Sequence, residues 1–278
     1  MMIRAFLIAT AASAALLCGC ETVDTTKAGA VGIERHQQML VSEQEVEASS
    51  QKQYAAMMAD AQKKGALDRN AAEVQRVKAI VSRLVPQTAV FRPDAQKWAW
   101  EAHVLSSNEV NAWCMPGGKM AVYTALIEKV QPTDDELAAV MGHEISHALR
   151  EHAREDISRQ MATQAVVGIA GALLGVGDLG QQLGSMAADV TINLPHSRQH
   201  ETEADRMGVE LAARAGYNPQ AAIALWEKMS KLSSGGQPPK LLSTHPSNED
   251  RIKDLRVYAE KVMPLYQAAA KGGASAGK

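Results

Sequence analysis

Cysteine is scarce in this chain: there are three in 278 residues, and two of them, Cys18 and Cys20, sit together near the N-terminus. Loss of a leader ahead of Cys20 and modification of Cys20 would leave Cys114 alone, which excludes a disulfide staple within the remaining chain. Stability must then come from a buried core, which a chain of this length can build. Charge of one sign is also lacking. The formal net charge of −2 gives no electrostatic footprint for nucleic acid, so none is expected as a partner. The four tryptophans form no array on which sugar rings could stack, which argues against a hydrolase of cell-wall material. No apolar run reaches the roughly 20 residues that a helix needs to cross a bilayer. No internal repeat is present.

What the chain does have is His143-Glu144-Ile145-Ser146-His147. On an α-helix the side chains at i and i+4 share a face, so both imidazoles can reach one metal ion. Glu144 then stands beside that ion, placed to take a proton from a water. This is the HExxH pattern of zinc peptidases. Its surroundings read as helix. Thr133 and Glu136 form a capping-box pair after Pro132, and Leu137, Val140, Met141, Ala148 and Leu149 recur at helical spacing. A helix over about Asp134–Arg159 is predicted.

A catalytic zinc takes three protein ligands and keeps one position open. His152 is set aside as the third, because on a continuous helix it points away from His143. The stretch His200-Glu201-Thr202-Glu203-Ala204-Asp205 is more promising. Glu201 and Asp205 stand four apart on a second predicted helix that runs to about Ala215. One carboxylate can bind the metal while the other orients a ligand histidine from behind.

These motifs, with Leu194-Pro195-His196-Ser197-Arg198 and Glu201-x-Glu203-Ala204-Asp205-x-x-Gly208, resemble the minigluzincin zinc metallopeptidases. That is the HtpX and CAAX prenyl endoprotease family, and the chain is closest in type to its periplasmic BepA- and LoiP-like lipoprotein proteases. The resemblance runs from about Asn111 to Arg256. It implies one Zn²⁺ per chain held by His143, His147 and Glu201, with Glu144 as general base and Asp205 behind a ligand. Glu203 is then a solvated or helix-stabilising residue. His196 departs from the tyrosine of many relatives. The implied fold is a mostly helical α+β zincin-like domain with a small β-sheet whose edge strand faces the active site.

Two further segments fit. Asn111–Thr124 reads as strand, turn, strand, with a helix from about Ala125; in relatives the matching segment offers a sheet edge to an extended substrate. Ser243-Thr244-His245-Pro246 precedes a helix that Ser247 can cap. His245 is expected near the metal, either as a fourth ligand that silences the enzyme or as a donor to the substrate carbonyl.

The activity expected is a zinc endopeptidase hydrolysing unfolded or misfolded envelope proteins in protein quality control. The alternative is a non-catalytic, zinc-holding lipoprotein that acts as a chaperone or outer-membrane assembly factor. Arg4 followed by the apolar Ala5–Leu17 reads as a signal peptide, ending in Leu17-Cys18-Gly19-Cys20. That predicts a lipid on Cys20, membrane attachment through it, and a place on the periplasmic face of a bacterial outer membrane, with soluble periplasmic export as the other outcome.

The organisation expected is a leader over 1–19, a tether and helical segment over 20–65, a peptidase domain over 66–267 and a disordered tail over 268–278. Within it, residues to about Gly32 form the tether. Asn70–Val85 forms an amphipathic helix stopped by Pro86, and the alternation of Trp98, Trp100, Ala102 and Val104 predicts a strand. Another helix runs from Asn218-Pro219 to about Lys231. The apolar, glycine-bearing stretch Ala162–Leu183 reads as a cover between the two metal-binding helices, or as a lid or membrane-dipping hairpin that controls substrate entry.

Overall fold

The computed structural model describes residues 21–168, 179–233, 238–246 and 249–275. Asn70 caps the first strongly amphipathic helix of the chain. Its side chain accepts from the backbone N–H groups of Ala72 and Glu73, and Val74, Val77, Ile80, Val81 and Leu84 are buried along one face. Burial of such side chains contributes about 1.5–3 kcal/mol each. Before this helix, α2 (Ala71–Leu84), come a two-stranded ribbon of β1 (Glu21–Val23) and β2 (Gln37–Met39) and the helix α1 (Glu43–Lys63).

After α2 the strands β3 (Glu101–Leu105), β4 (Ala112–Met115) and β5 (Lys119–Tyr123) make a sheet in the order β3-β5-β4. β5 is parallel to β3 and antiparallel to β4. The expected strand begins three residues late, because Pro93–Lys97 is a 3₁₀ turn that ends at Trp98. Gly117 and Gly118 turn β4 into β5 with φ of 80° and 79°, a region L side chains avoid. A Cβ on Gly118 would also stand 2.6 Å from the Trp100 ring. Cys114 is buried in β4 and free.

The rest is helical: α3 (Thr124–Val130), α4 (Asp134–Leu149), α5 (His152–Gly168), α6 (Leu179–Ala188), α7 (Arg198–Arg214), α8 (Ala221–Ser233), α9 (Lys240–Thr244) and α10 (Glu249–Ser275). α4 and α7 cross closely. α4 also packs on β4, and α10 on α7. The fold is a mostly helical α+β domain, and β4 is the sheet edge beside α4.

Three expectations need correction. The helix predicted over Asp134–Arg159 is two helices, because Arg150 closes α4 and Glu151 takes a left-handed φ of 52°. Tertiary ion pairs outweigh local propensity there: Glu151 is held by Arg92 and Arg154, and Arg150 by Glu203. The residues to about Gly32 are not a free tether. Val31 and Ile33 join the core, and the Val31 N–H donates to Glu210 at 3.0 Å. Ala268–Lys278, expected as disordered, is helical through Ser275. Of the ambiguous stretch Ala162–Leu183, residues 169–178 lie outside the described residues, and Leu183 on α6 is packed with Val46 and Ile157. The leader, Cys20 and Ser247 also lie outside them. No helix among the described residues is long and apolar enough to cross a membrane.

Candidate metal centre

The capping box predicted at Thr133 and Glu136 is present and starts α4, which carries the two histidines one turn apart. Ser197 caps α7 by accepting from the His200 N–H, and so fixes the phase of Glu201 and Asp205. The two helices meet at glycines. A Cβ on Gly142 would lie 2.9 Å from the Gly208 carbonyl oxygen, and one on Gly208 would lie 2.8 Å from the His143 nitrogen. Only two residues without side chains allow the backbones this close, and the approach brings Glu201 and Asp205 against His143.

Four buried donors then converge: His143, His147, Glu201 and His245. His143 Nε2 is 3.1 Å from both His147 Nε2 and His245 Nδ1. Glu201 Oε1 is 2.8 Å from His245 Nδ1 and 3.4 Å from His147 Nε2, and Glu201 Oε2 is 3.6 Å from His143 Nε2. A tetrahedral zinc with ligand distances near 2.05 Å has ligand–ligand edges of about 3.3 Å. The cage therefore fits such an ion.

The tautomers support the same conclusion. His143 Nδ1 lies 2.9 Å from Asp205 Oδ1, a carboxylate that can only accept, so the proton sits on Nδ1 and Nε2 carries a bare lone pair. His147 Nδ1 is 2.9 Å from His152 Nδ1, and His152 Nε2 is 3.2 Å from Glu203 Oε2. Glu203 fixes the proton on His152 Nε2, so His152 Nδ1 accepts from His147 Nδ1–H. His147 Nε2 is then also bare. Two bare lone pairs facing each other at hydrogen-bond distance repel unless a cation lies between them.

Charge and burial tune these groups. Burial drives His147 down to about 3 against the pull of Glu201, so it remains a neutral ligand. Burial alone would raise Glu201, but His245, Arg251 and His143 hold it well below the usual carboxylate range. Burial raises Glu144 against the opposing His245 and His143, the direction a base working near neutral pH requires. His245, although buried, is raised because Glu201 and Glu144 flank it. Its Nε2 is 3.4 Å from Glu144 Oε1.

The break after α4 returns His152 toward His147 and places it behind that imidazole. Glu203 is not solvated: it is 5% exposed and accepts from Arg35, Arg150 and His152. His196 is buried with its ring centroid 4.3 Å from that of His147. Arg251 and Trp226 carry no mark in the sequence. Arg251 donates to both oxygens of Asp205, at 2.6 and 2.8 Å, and lies 3.6 Å above the Trp226 ring, which meets His143 edge-on. Both residues sit on helices whose pattern looks like ordinary amphipathic packing, and only the tertiary crossing exposes their role.

Comparison with known proteins agrees. The chain is 38% identical over 159 residues to the mitochondrial metalloendopeptidase OMA1 of Schizosaccharomyces pombe, covering 56% of this chain and 45% of that protein. It is 36% identical over 176 residues to its Arabidopsis thaliana counterpart, covering 63% and 35%. It is 29% identical over 184 residues to the beta-barrel assembly-enhancing protease of Escherichia coli, covering 63% and 38%. The chain thus spans less than half the length of each of these relatives. They also overturn the location expected from the leader: the OMA1 relatives are mitochondrial proteins, and nothing in the match supports a lipid anchor at a bacterial outer membrane. Residues 71–259 match the family model of peptidase family M48, more than half of the chain, and the protein belongs to that family.

Proposed function

We propose that the chain is a zinc endopeptidase of the minigluzincin type that cuts extended segments of unfolded or misfolded proteins. The observation that carries this is the cage of His143, His147 and Glu201 with the buried Glu144 beside it. The peptidase unit is taken as residues 66–267, which contain the family match. Those three side chains would hold a zinc ion, which would supply Lewis acidity toward a carbonyl and a water. Glu144 accepts the proton of the attacking water and passes it to the leaving amine. Asp205 and His152 hold the ligand imidazoles in the required tautomers. β4 pairs with β5 on one side only, so its outer edge can bind substrate backbone as an added strand. Such binding reads main chain more than side chains, and that favours unfolded substrates.

His245 is the fourth member of the cage, and its Nδ1 faces the other three donors. In this arrangement it occupies the position that water needs, and its Nε2 covers Glu144. The resting enzyme is accordingly self-blocked, and substrate entry requires the end of α9 to move. A purely structural zinc site would also have four ligands. However, it would have no use for a base beside them, which argues against the non-catalytic alternative.

The test is cleavage of casein by the full chain, with zinc content measured on the same samples. Glu144→Gln should keep zinc and lose cleavage by a factor on the order of 10²–10⁴. His245→Ala should keep zinc and cleave faster than wild type. Unchanged cleavage by Glu144→Gln would sink the mechanism, and slower cleavage by His245→Ala would make His245 a catalytic donor instead of a block.

A further inference from the structure

A second group of ligating side chains lies outside this cage. Asp156 on α5, His196 ahead of α7 and His200 on α7 each bring one ligand atom, all within 4.8 Å of one another. His196 and His200 are 8% and 1% exposed. Their ring nitrogens are poorly served for such depth: His196 Nδ1 and both nitrogens of His200 make no hydrogen bond. The nearest acceptors of His200 are Glu155 at 3.3 Å and Asp156 at 3.4 Å. The His200 ring is stacked flat on His152, with centroids 4.1 Å apart and planes 7° apart. That stacking sets the ring plane, with Nδ1 facing Asp156 and Nε2 facing Glu155.

A buried imidazole nitrogen without a partner loses free energy comparable to a broken hydrogen bond. One nitrogen from each of the two neighbouring rings, with the Asp156 carboxylate beside them, makes the donor set of a cation. We propose that Asp156, His196 and His200 form a second metal site for a borderline divalent transition cation such as Zn²⁺. Two imidazoles and one carboxylate match the ligand preference of that class over Mg²⁺ or Ca²⁺, which take oxygen. The side chain of Asp156 is 17% exposed, which gives the ion an entry path from solvent. The separations exceed the edge of about 3.3 Å that a tetrahedral zinc requires, so the rings close in on binding. Three protein ligands leave the remaining positions to water.

The site is also coupled to the first by contact. His196 stacks within 4.3 Å of His147 and 4.9 Å of His245, measured between ring centroids. An ion on His196 fixes that ring against the two cage histidines.

Equilibrium dialysis of the metal-free full chain against Zn²⁺ tests this. Wild type should bind two equivalents per chain. Asp156→Asn and His200→Gln should each keep the first equivalent and weaken the second by at least about tenfold to a hundredfold, the usual effect of losing a determinant of a metal site. Asp156→Asn alters a partly exposed side chain and should leave the fold intact, so it serves if His200→Gln does not fold. A wild type that saturates at one equivalent which Asp156→Asn leaves unchanged, or a second equivalent unaffected by Asp156→Asn, overturns the site. Failure of the cage itself would show differently, as a single equivalent in wild type that Asp156→Asn and His200→Gln both weaken.

Discussion

Glu203 shows how much a single residue can depend on its surroundings. Its place in the motif suggests a solvated side chain, two positions after the ligand glutamate on a helix. In the fold it accepts from Arg150 at 2.9 Å, from Arg35 and from His152, with almost no water access. Glu203→Ala would leave the buried Arg150 without its carboxylate and His152 free to flip its tautomer. Breaking a buried pair on one side costs about 3–5 kcal/mol. We expect a loss of that order in chemical denaturation, and weaker zinc binding because His147 loses its oriented acceptor. Glu203→Gln should restore part of the stability by keeping an acceptor for His152. Equal loss in both variants would show that charge, rather than the tautomer chain, is what matters. His143, Glu144 and His147 were legible because their spacing is local, one turn along one helix, whereas Glu201 was singled out from Asp205 only by the resemblance. His152, Arg251 and His200 were not, since each acquires its role only through the Arg150–Glu151 break or the crossing of distant helices.

At the scale of elements, that crossing is the feature on which the site depends. α4 and α7 can place Glu201 against His143 only because Gly142 and Gly208 let the backbones touch. Gly208→Ala puts a methyl group 2.8 Å from the His143 nitrogen, and backbone cannot move aside as a side-chain tip can. The helices must separate by several tenths of an ångström, and overpacking of this kind costs about 1–3 kcal/mol. The sharper expectation concerns metal. A shift of this size tilts Glu201 and Asp205 away from the histidines together, so zinc affinity should fall more than stability does. Dialysis and denaturant midpoints on Gly208→Ala measure both; an unchanged affinity with lowered stability would show that the cage adapts to the spacing. The spacing of Gly208 three residues after Asp205 was visible in the sequence as part of the resemblance. Its physical reason was not, because Gly142 is ordinary helix interior until its partner is known. The break after Leu149 was illegible for a related reason: Arg150 and Glu151 are good helix formers, and the ion pairs that bend the chain come from Arg92, Glu203 and the N-terminal residues.

Across the whole molecule, the buried histidines make stability depend on pH in a predictable direction. Burial lowers His147 to about 3 and holds His152 and His196 well below their ordinary value. In the unfolded chain these three titrate near 6.5. Below that pH the unfolded state binds protons that the folded state refuses, so folding stability falls as pH falls. Each such histidine contributes on the order of 1 kcal/mol per pH unit until its folded pKa is reached. His200 and His245 shift the other way, through Asp156 with Glu155 and through Glu201 with Glu144 respectively. Their contribution is complete below 6.5 and is lost only as pH rises through the raised values, so it does not offset the acid loss. Glu144, raised by burial, opposes it above 4.5. The metal-free protein should therefore show a denaturation midpoint that drops steeply between about pH 6.5 and pH 4.5, before the ordinary carboxylates begin to protonate. With zinc present the drop should become steeper on the acid side, because protons compete with the ion for the same nitrogens and unloading removes the ligand's stabilisation as well. A midpoint that stays flat across that interval in the metal-free protein would mean that the histidine cluster takes up protons without unfolding. The bare lone pairs of His143 and His147 would then be accounted for by shared protons in place of a metal ion.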